Sequence, residues 1–194
     1  MMIDFTYTHL LIGVAALLII LIVLWKQKRR LSYLFCFSIF WVYMITVVSV
    51  IVFPFPIFGD YQYPNFKPNI NLVPFNFGSC EMINACLRNV FENILITIPF
   101  GFGISFIASL KPKDFLWLAI LVGFAFETIQ LIIALLASPF RVVDINDVIL
   151  NAAGVLLGYG FYRIFGWVYL FATQKFGIRH RYLFAYIYDV VSET

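Results

Sequence analysis

The polar side chains that could do chemistry are concentrated between residues 126 and 158, where two apolar runs are joined by a short turn. The candidates that stand out from their apolar surroundings are Glu127, Gln130, Arg141, Asp144, Asp147 and Asn151. An ionisable side chain inside hydrocarbon costs about 2.5–3.5 kcal/mol on insertion scales, so it is normally retained for a function. The stretch therefore predicts a functional site inside an apolar environment.

The spacing of these residues predicts that they share helical faces. Glu127 and Gln130 are three positions apart, and the acids and the amide of the second run recur at intervals of three and four. The same face continues through Gly154 and Gly158, a pattern of small residues that lets two helices approach closely. Asn93 begins a similar polar face in the preceding apolar run.

The two runs are expected to form a tight antiparallel hairpin around a turn centred near Pro139. Equal distances from that turn place residue 151 opposite residue 127 or 128, at a similar depth if each residue rises about 1.5 Å. Asn93 would enter at the same end of the hairpin. The result would be a polar pocket that opens to the outer leaflet and is built by three helices.

A purely structural role is the alternative for these polar groups. Amides and acids in membrane helices often pair across a bundle, at about 0.6–2 kcal/mol for each pair. The acids outnumber the nearby cation, Arg141, so pairing alone leaves carboxylates over. We expect no cofactor and no metal, because neither His9 nor His180 can reach the cluster to form a triad or a zinc site. Clustered carboxylates could still hold Mg²⁺ or Ca²⁺.

The composition is that of a membrane protein with several spanning helices. Of the 194 residues, 63% are hydrophobic and 12% are charged, and apolar runs recur along the chain. Such runs cross about 30 Å of lipid when they contain 18 or more residues. We therefore expect an all-α protein, a polytopic membrane helical bundle that forms a single domain over residues 1–194. The net charge of +3 comes from short basic clusters and does not indicate nucleic-acid binding.

About five spans and one interfacial helix are predicted along the chain. The spans are expected at Thr8–Trp25, Leu31–Phe53, Val90–Leu110, Phe115–Ala137 and from Asp147 to Arg163 or beyond. An amphipathic helix over Ser79–Glu92 would lie at the outer interface. The proline-rich segment 54–71 is expected to form an irregular external loop.

The distribution of lysine and arginine predicts the orientation. A basic cluster follows the first span at residues 26–30, and further basic residues lie at 111–113 and in the tail at 172–194. Because positively charged loops face the cytoplasm, we expect the N-terminus outside and the aromatic, basic C-terminal tail inside.

The three cysteines follow no metal-ligand spacing. Cys36 lies within the second span and is expected to be a small apolar packing residue. Cys80 and Cys86 would lie on different faces of a continuous helix, so a disulfide between them would require the helix to be broken and is not expected.

Four sequence blocks in a fixed order resemble those of a known family. They are N-L-V-P-F from Asn71, E-N-I-L-I-T-I-P-F-G from Glu92, F-E-T-I-Q from Phe126 and R-x-x-D-x-x-D-x-x-x-N-x-x-G from Arg141. Together these blocks resemble the VanZ-like family, with a family core over residues 71–163. The resemblance implies a bacterial membrane protein linked to reduced susceptibility to teicoplanin and related lipoglycopeptides. Carried over by position, the polar residues it implies are Asn71, Asn93, Glu127, Gln130, Arg141, Asp144, Asp147 and Asn151.

Two functions from different classes fit such a site. In the first, a non-enzymatic envelope protein surrounded by membrane lipid binds an amphiphile, either the acyl-bearing antibiotic or a lipid-linked wall precursor. In the second, a membrane-embedded enzyme modifies an envelope lipid or wall precursor, with Glu127 as general acid or base. An independent proton-coupled transporter is disfavoured because the five expected spans show no inverted repeat.

Overall fold

The computed structural model describes residues 2–56, 69–76, 83–137, 142–178 and 180–193. The helices in these ranges are α1 (Tyr7–Lys26), α2 (Leu31–Val52), α3 (Ile83–Gly103), α4 (Pro112–Ala137), α5 (Ile145–Phe176) and α6 (Leu183–Ser192). Short strands lie between them: β1 (Met2–Ile3), β2 (Phe55–Pro56), β3 (Asn69–Asn71) and β4 (Val142–Asp144).

Helices α1 to α5 are long and apolar enough to cross a membrane, as judged by their length and composition. This confirms the predicted all-α bundle with five membrane spans. The longest helix, α5, has 32 residues. A helix of that length measures about 48 Å, which exceeds the roughly 30 Å of hydrocarbon in a bilayer. One end of α5 therefore extends beyond the apolar layer.

The boundaries of the third span differ from those predicted. Residues 83–92, which were expected to form a separate interfacial helix with residues 79–82, are continuous with the span as the first part of α3. The helix ends at Gly103 and a short 3₁₀ turn over Ile104–Phe106 follows, so the predicted extension to Leu110 was wrong. In these first turns Cys86 and Val90 are half-buried, the other described side chains are exposed, and Asn89 contacts α5 through Asp147.

Helix α5 lies at the centre of the bundle and packs against both α3 and α4. Glycines make these contacts close. A Cβ added at Gly101 would overlap the carbonyl oxygen of Val155, and one added at Gly158 would overlap that of Ile98. On the other side of α5, a Cβ at Gly123 would overlap the carbonyl oxygen of Val148. The small residues thus allow backbone to approach backbone, as their spacing in the sequence indicated.

Two short strand pairs close the end of the bundle at which α5 begins. Strand β1 pairs with β2 in antiparallel orientation, and β3 pairs with β4 in parallel orientation with Asn71 opposite Asp144. The segment 54–71 was predicted to be an irregular loop, and the structure corrects this at both of its ends, where strands form. Next to an apolar bundle, pairing satisfies backbone N–H and C=O groups that would otherwise lack partners.

Cys86 is disulfide-bonded, whereas Cys36 is a free thiol. The described part of α3 begins at Ile83, only one turn before Cys86. The expectation that Cys86 forms no disulfide was therefore wrong. Cys80 and the rest of the expected helix before Ile83 lie outside the described residues.

The C-terminal tail forms α6 and packs on the bundle. Val191 is buried against Gly166 of α5. The hydroxyl of Tyr162 donates to the carbonyl oxygen of Val190 at 3.2 Å, and that of Tyr186 donates to the carbonyl oxygen of Phe106. Helix α6 is therefore anchored to both α5 and the 3₁₀ turn.

Candidate functional site

Glu127 of α4 is the carboxylate buried deepest in the predicted cluster, with 4% of its surface exposed. The backbone N–H of Asp144, the last residue of β4, donates to its Oε2 at 3.1 Å. Its other oxygen, Oε1, is buried and has no hydrogen-bond partner among the described residues. Glu127 therefore holds the end of β4 against α4 with one oxygen and leaves a second acceptor free.

Asp144 joins β3, β4 and the start of α5. Its Oδ1 accepts from the side-chain amide of Asn71 at 3.0 Å and from the backbone N–H of Asn146 at 2.8 Å. The second contact caps the N-terminus of α5, where the first backbone N–H groups have no partners within the helix. The amide of Asn71 also donates to the carbonyl oxygen of Asn76 at 3.0 Å. The predicted residues Asn71, Glu127 and Asp144 thus form one connected network.

The structure adds Asn146 to this network. Its side chain is 3% exposed, its Oδ1 accepts from the backbone N–H of Phe75 at 2.6 Å, and its Nδ2 donates to the carbonyl oxygen of Asn76 at 3.0 Å. Phe75 has a positive φ of 61°, a conformation that costs free energy for a residue other than glycine. Sequence reasoning missed Asn146, although its position two residues after Asp144, in the first turn of α5, was the available signal.

Asp147 forms a second group with α3. Its Oδ1 accepts from the side-chain amides of Asn93 at 2.7 Å and Asn89 at 3.1 Å. Asn89 was not among the predicted residues, yet it lies one turn before Asn93 on the same face of α3. The two amides hold the start of α5 against α3 through a single carboxylate oxygen.

Further along α5 from Asp147, the facing surfaces of α3 and α5 are closely packed. Thr97 is fully buried, and a Cβ added at Gly154 would overlap its hydroxyl oxygen. Asn151 is 1% exposed, and its Oδ1 is buried without a hydrogen-bond partner among the described residues. The predicted face that runs from Asp147 through Asn151 to Gly158 therefore points at α3.

The register between α4 and α5 differs from the one predicted. Glu127 lies level with Asp144 rather than with Asn151, as the hydrogen bond between them shows. Gly123 lies beside Val148 and is consistent with the same offset. The difference is seven residues, about two helical turns. Counting equal numbers of residues from Pro139 failed because the three residues of β4 lie on only one side of that point. An extended residue rises about 3.3 Å, whereas a helical residue rises about 1.5 Å, so fewer residues cover the same distance on that side.

Gln130 takes no part in these contacts among the described residues. Gln130 is half-buried, and no hydrogen bond joins it to another described member of the cluster. Arg141 lies outside the described residues, so its predicted role stays a prediction.

The described part of the site is rich in acceptors and lacks cations. Glu127 and Asp144 belong to one hydrogen-bond network and Asp147 to a second, and no described lysine or arginine forms an ion pair with any of them. The ion pairs found in the described chain lie elsewhere, between Arg30 and Asp189 and between Arg88 and Glu92. Among the described residues, no three His, Cys, Asp or Glu side chains are grouped closely enough to hold a metal ion.

Apolar side chains border this polar cluster. The turn that follows Asn71 exposes Leu72, Val73 and Phe75, with 71%, 59% and 73% of their surfaces accessible. The backbone of this turn is held by the amides of Asn71 and Asn146, so the apolar side chains have a defined position next to the polar groups. Hydrogen-bond acceptors and an exposed apolar surface therefore lie side by side.

The fold and this site define a helical membrane protein with a polar cluster at one end of its bundle. The chain belongs to the VanZ/LLP1 family, whose family model matches residues 40–166. The match includes the whole core expected from the sequence blocks and also reaches back into α2. No curated protein and no solved structure matches the chain.

Proposed function

We propose that this protein is a bacterial envelope protein that lowers susceptibility to teicoplanin and related lipoglycopeptides. Its polar cluster would face the outer leaflet and bind an amphiphile, either the acyl and peptide parts of the antibiotic or a lipid-linked wall precursor. This proposal takes the class of ligand from the family and the mode of binding from the site.

The free Oε1 of Glu127 is the observation that carries this proposal. It is a buried carboxylate oxygen without a donor in the described chain. A buried acceptor left unpaired costs about 1–3 kcal/mol, and more if it is charged, and a bound ligand with a hydrogen-bond donor would remove that cost. Peptide amides, sugar hydroxyls and amines are such donors, and both candidate ligands carry them.

The apolar border supports the amphiphilic character of the ligand. Leu72, Val73 and Phe75 are exposed next to the polar network. Contact with these side chains would stabilise a bound acyl chain by about 25 cal/mol for each Å² of apolar surface removed from water. A polar group could then reach Glu127 while the chain stays in the membrane.

Drug susceptibility in a sensitive Gram-positive host tests the proposal. Strains would express wild type, Glu127→Gln or Glu92→Gln at matched membrane levels, and teicoplanin would be compared with vancomycin, which lacks the lipid tail. Glu92 is the matched control because it is an exposed carboxylate on α3 paired with Arg88. We expect Glu127→Gln to lose protection against teicoplanin while Glu92→Gln keeps it. Equal protection by all three proteins would contradict a role for the cluster in resistance.

Direct binding separates the two candidate ligands. Purified protein in nanodiscs would be titrated with teicoplanin and, separately, with lipid II. Loss of a hydrogen bond to a charged group weakens binding by about 10- to 100-fold, which is the change expected for Glu127→Gln with the true ligand. Failure of both ligands to bind wild type would refute the proposed binding function.

The same Glu127 oxygen favours a second candidate, a membrane enzyme with Glu127 as general acid or base. A buried carboxyl with one oxygen held by a backbone N–H and the other free has the geometry of a positioned proton donor or acceptor. Mass spectrometry of envelope lipids and wall precursors tests it. A product that appears with wild type and disappears with Glu127→Gln would favour the enzyme, whereas unchanged precursors together with drug protection would favour binding.

A further inference from the structure

A cavity of about 620 Å³ lies at the end of the bundle opposite the polar site. It is an open cavity bordered by the turn between α1 and α2, the 3₁₀ turn, the start of α4 and α6. Helix α4 begins beside this cavity at Pro112 and reaches the polar site at Glu127. Those 15 residues correspond to about 22 Å along the helix. The cavity is therefore a separate feature of the molecule.

The wall of the cavity is rich in cations. Lys28, Arg29, Arg30 and Lys111 line it, and the carboxylates there are Asp189 and Glu193 of the C-terminal segment. Arg30 pairs with Asp189, so one cation and one carboxylate neutralise each other. The lining that remains is predominantly positive.

Two of these cations have defined surroundings. The guanidinium of Arg29 lies over the ring of Tyr33, 5.3 Å from its centre, which holds it at the wall of the cavity. Lys111 follows the 3₁₀ turn and precedes α4, so its backbone position is set by the elements on both sides. Both side chains carry groups that bind phosphate well in proteins, a guanidinium and an ammonium.

Ser105 contributes an independent sign that the cavity takes a ligand. It lines the cavity, and its Oγ is buried without a hydrogen-bond partner among the described residues. A serine hydroxyl inside a helical segment usually donates to a backbone carbonyl oxygen, as Ser38 does to Leu34. The free hydroxyl of Ser105 can donate to an oxygen of a bound group.

The rest of the lining is apolar and aromatic. Phe106, Phe115, Tyr162 and Tyr186 lie between the basic residues and the bundle. Burial raises the pKa of Tyr186 to about 12, so its hydroxyl stays neutral and adds no negative charge to the cavity. The hydroxyls of both tyrosines already donate to backbone carbonyl oxygens. These rings thus present mainly carbon to the cavity, which suits the glycerol and first acyl carbons of a lipid.

We propose that this cavity binds the phosphate headgroup of an anionic phospholipid from the leaflet that borders it. Basic pockets between membrane helices bind such headgroups, and each lysine or arginine near the membrane surface raises the affinity about fivefold. The lipid would seat its phosphate between Arg29, Lys111 and Ser105 and lay its glycerol against the aromatic rings. It would thereby connect α2, α4 and the segment that carries α6.

Native mass spectrometry of the purified full-length protein tests this proposal. Wild type would be titrated with short-chain phosphatidylglycerol and with phosphatidylcholine of equal chain length, and glycerol 1-phosphate and inorganic phosphate would test for a soluble ligand. We expect phosphatidylglycerol to bind tightest. The double variant Arg29→Ala/Lys111→Ala should bind it about 30-fold more weakly, while Lys175→Ala, which removes a cation outside the cavity lining, should bind normally.

The variant Ser105→Ala separates a loss of lipid binding from a loss of folding. Removing an unpaired buried hydroxyl should leave the melting temperature equal or higher, yet it should weaken the binding of phosphatidylglycerol. Equal binding of phosphatidylglycerol and phosphatidylcholine would overturn the proposal, as would an equal loss in Lys175→Ala or no loss in Ser105→Ala. Glycerol 1-phosphate or inorganic phosphate that binds as tightly as the lipid would identify a soluble phosphate as the ligand instead.

Discussion

The carboxylate of Glu127 in α4 accepts the backbone N–H of Asp144 in β4 at 3.1 Å, while its second oxygen has no donor in the described part of the chain. One side chain thus has a structural contact and an unused acceptor. The contact fixes the residue from which α5 starts, because Asp144 is also the cap of that helix. Any substitution of Glu127 therefore changes both the contact with Asp144 and the second oxygen. Different replacement side chains can separate these two effects.

Replacing Glu127 with glutamine or leucine separates these properties. Glutamine keeps an oxygen for the N–H of Asp144, so we expect little change in stability. Leucine leaves that buried N–H without a partner, which should destabilise the protein by about 1–3 kcal/mol. Thermal unfolding in detergent measures both variants. A glutamine variant as unstable as the leucine variant would show that the negative charge itself holds the fold.

The two amides bound to Asp147 predict a ranking of stabilities. Asn93 is half-buried and donates at 2.7 Å, whereas Asn89 is exposed and donates at 3.1 Å to the same oxygen. We expect Asn93→Ala to lower the free energy of unfolding by about 1.5–3 kcal/mol, the range for hydrogen bonds to charged groups, and Asn89→Ala to cost less. Denaturation of both variants under identical conditions gives the comparison. Equal losses would argue against Asn93 as the principal partner.

Glycines of α5 provide a prediction with an internal control. A Cβ at Gly154 would overlap Thr97 and the carbonyl oxygen of Ile94, whereas a Cβ at Gly160 would meet no described atom within 4 Å. Gly154→Ala should therefore push α3 from α5 and cost about 1–3 kcal/mol. Gly160→Ala should leave stability unchanged or raise it by up to about 1 kcal/mol, because alanine favours the helix. Melting temperatures that fall equally in both variants would refute this packing argument.

The proposed orientation predicts which introduced cysteines react from outside the cell. Leu72 is exposed at the polar-site end, and Lys113 is exposed at the start of α4 near the opposite end. In a Cys36→Ala background, a membrane-impermeant maleimide should label Leu72→Cys in intact cells. It should label Lys113→Cys only after the membrane is permeabilised. The reverse pattern would place the polar site on the cytoplasmic side and end the outer-leaflet proposal.

Local patterns in the chain were sufficient to predict the helices and much of the polar cluster. Apolar runs of spanning length predict helices because lipid offers no partners for backbone N–H and C=O groups. The spacing of Asp147, Asn151, Gly154 and Gly158 predicts one face, since side chains three and four positions apart lie together on a helix. That face packs against α3 in the structure.

The sequence by itself determined the class of protein, the presence of five helices of spanning length and which polar residues occupy apolar surroundings, because these depend on composition and on helical periodicity. Only the tertiary structure decided that Glu127 meets Asp144 rather than Asn151, and that Asn71 is brought to the site by pairing of β3 with β4. Such contacts join residues far apart in the chain. The relative position of α4 and α5 along their axes depends on the connecting segment and on the close glycine contacts. No local sequence pattern encodes it.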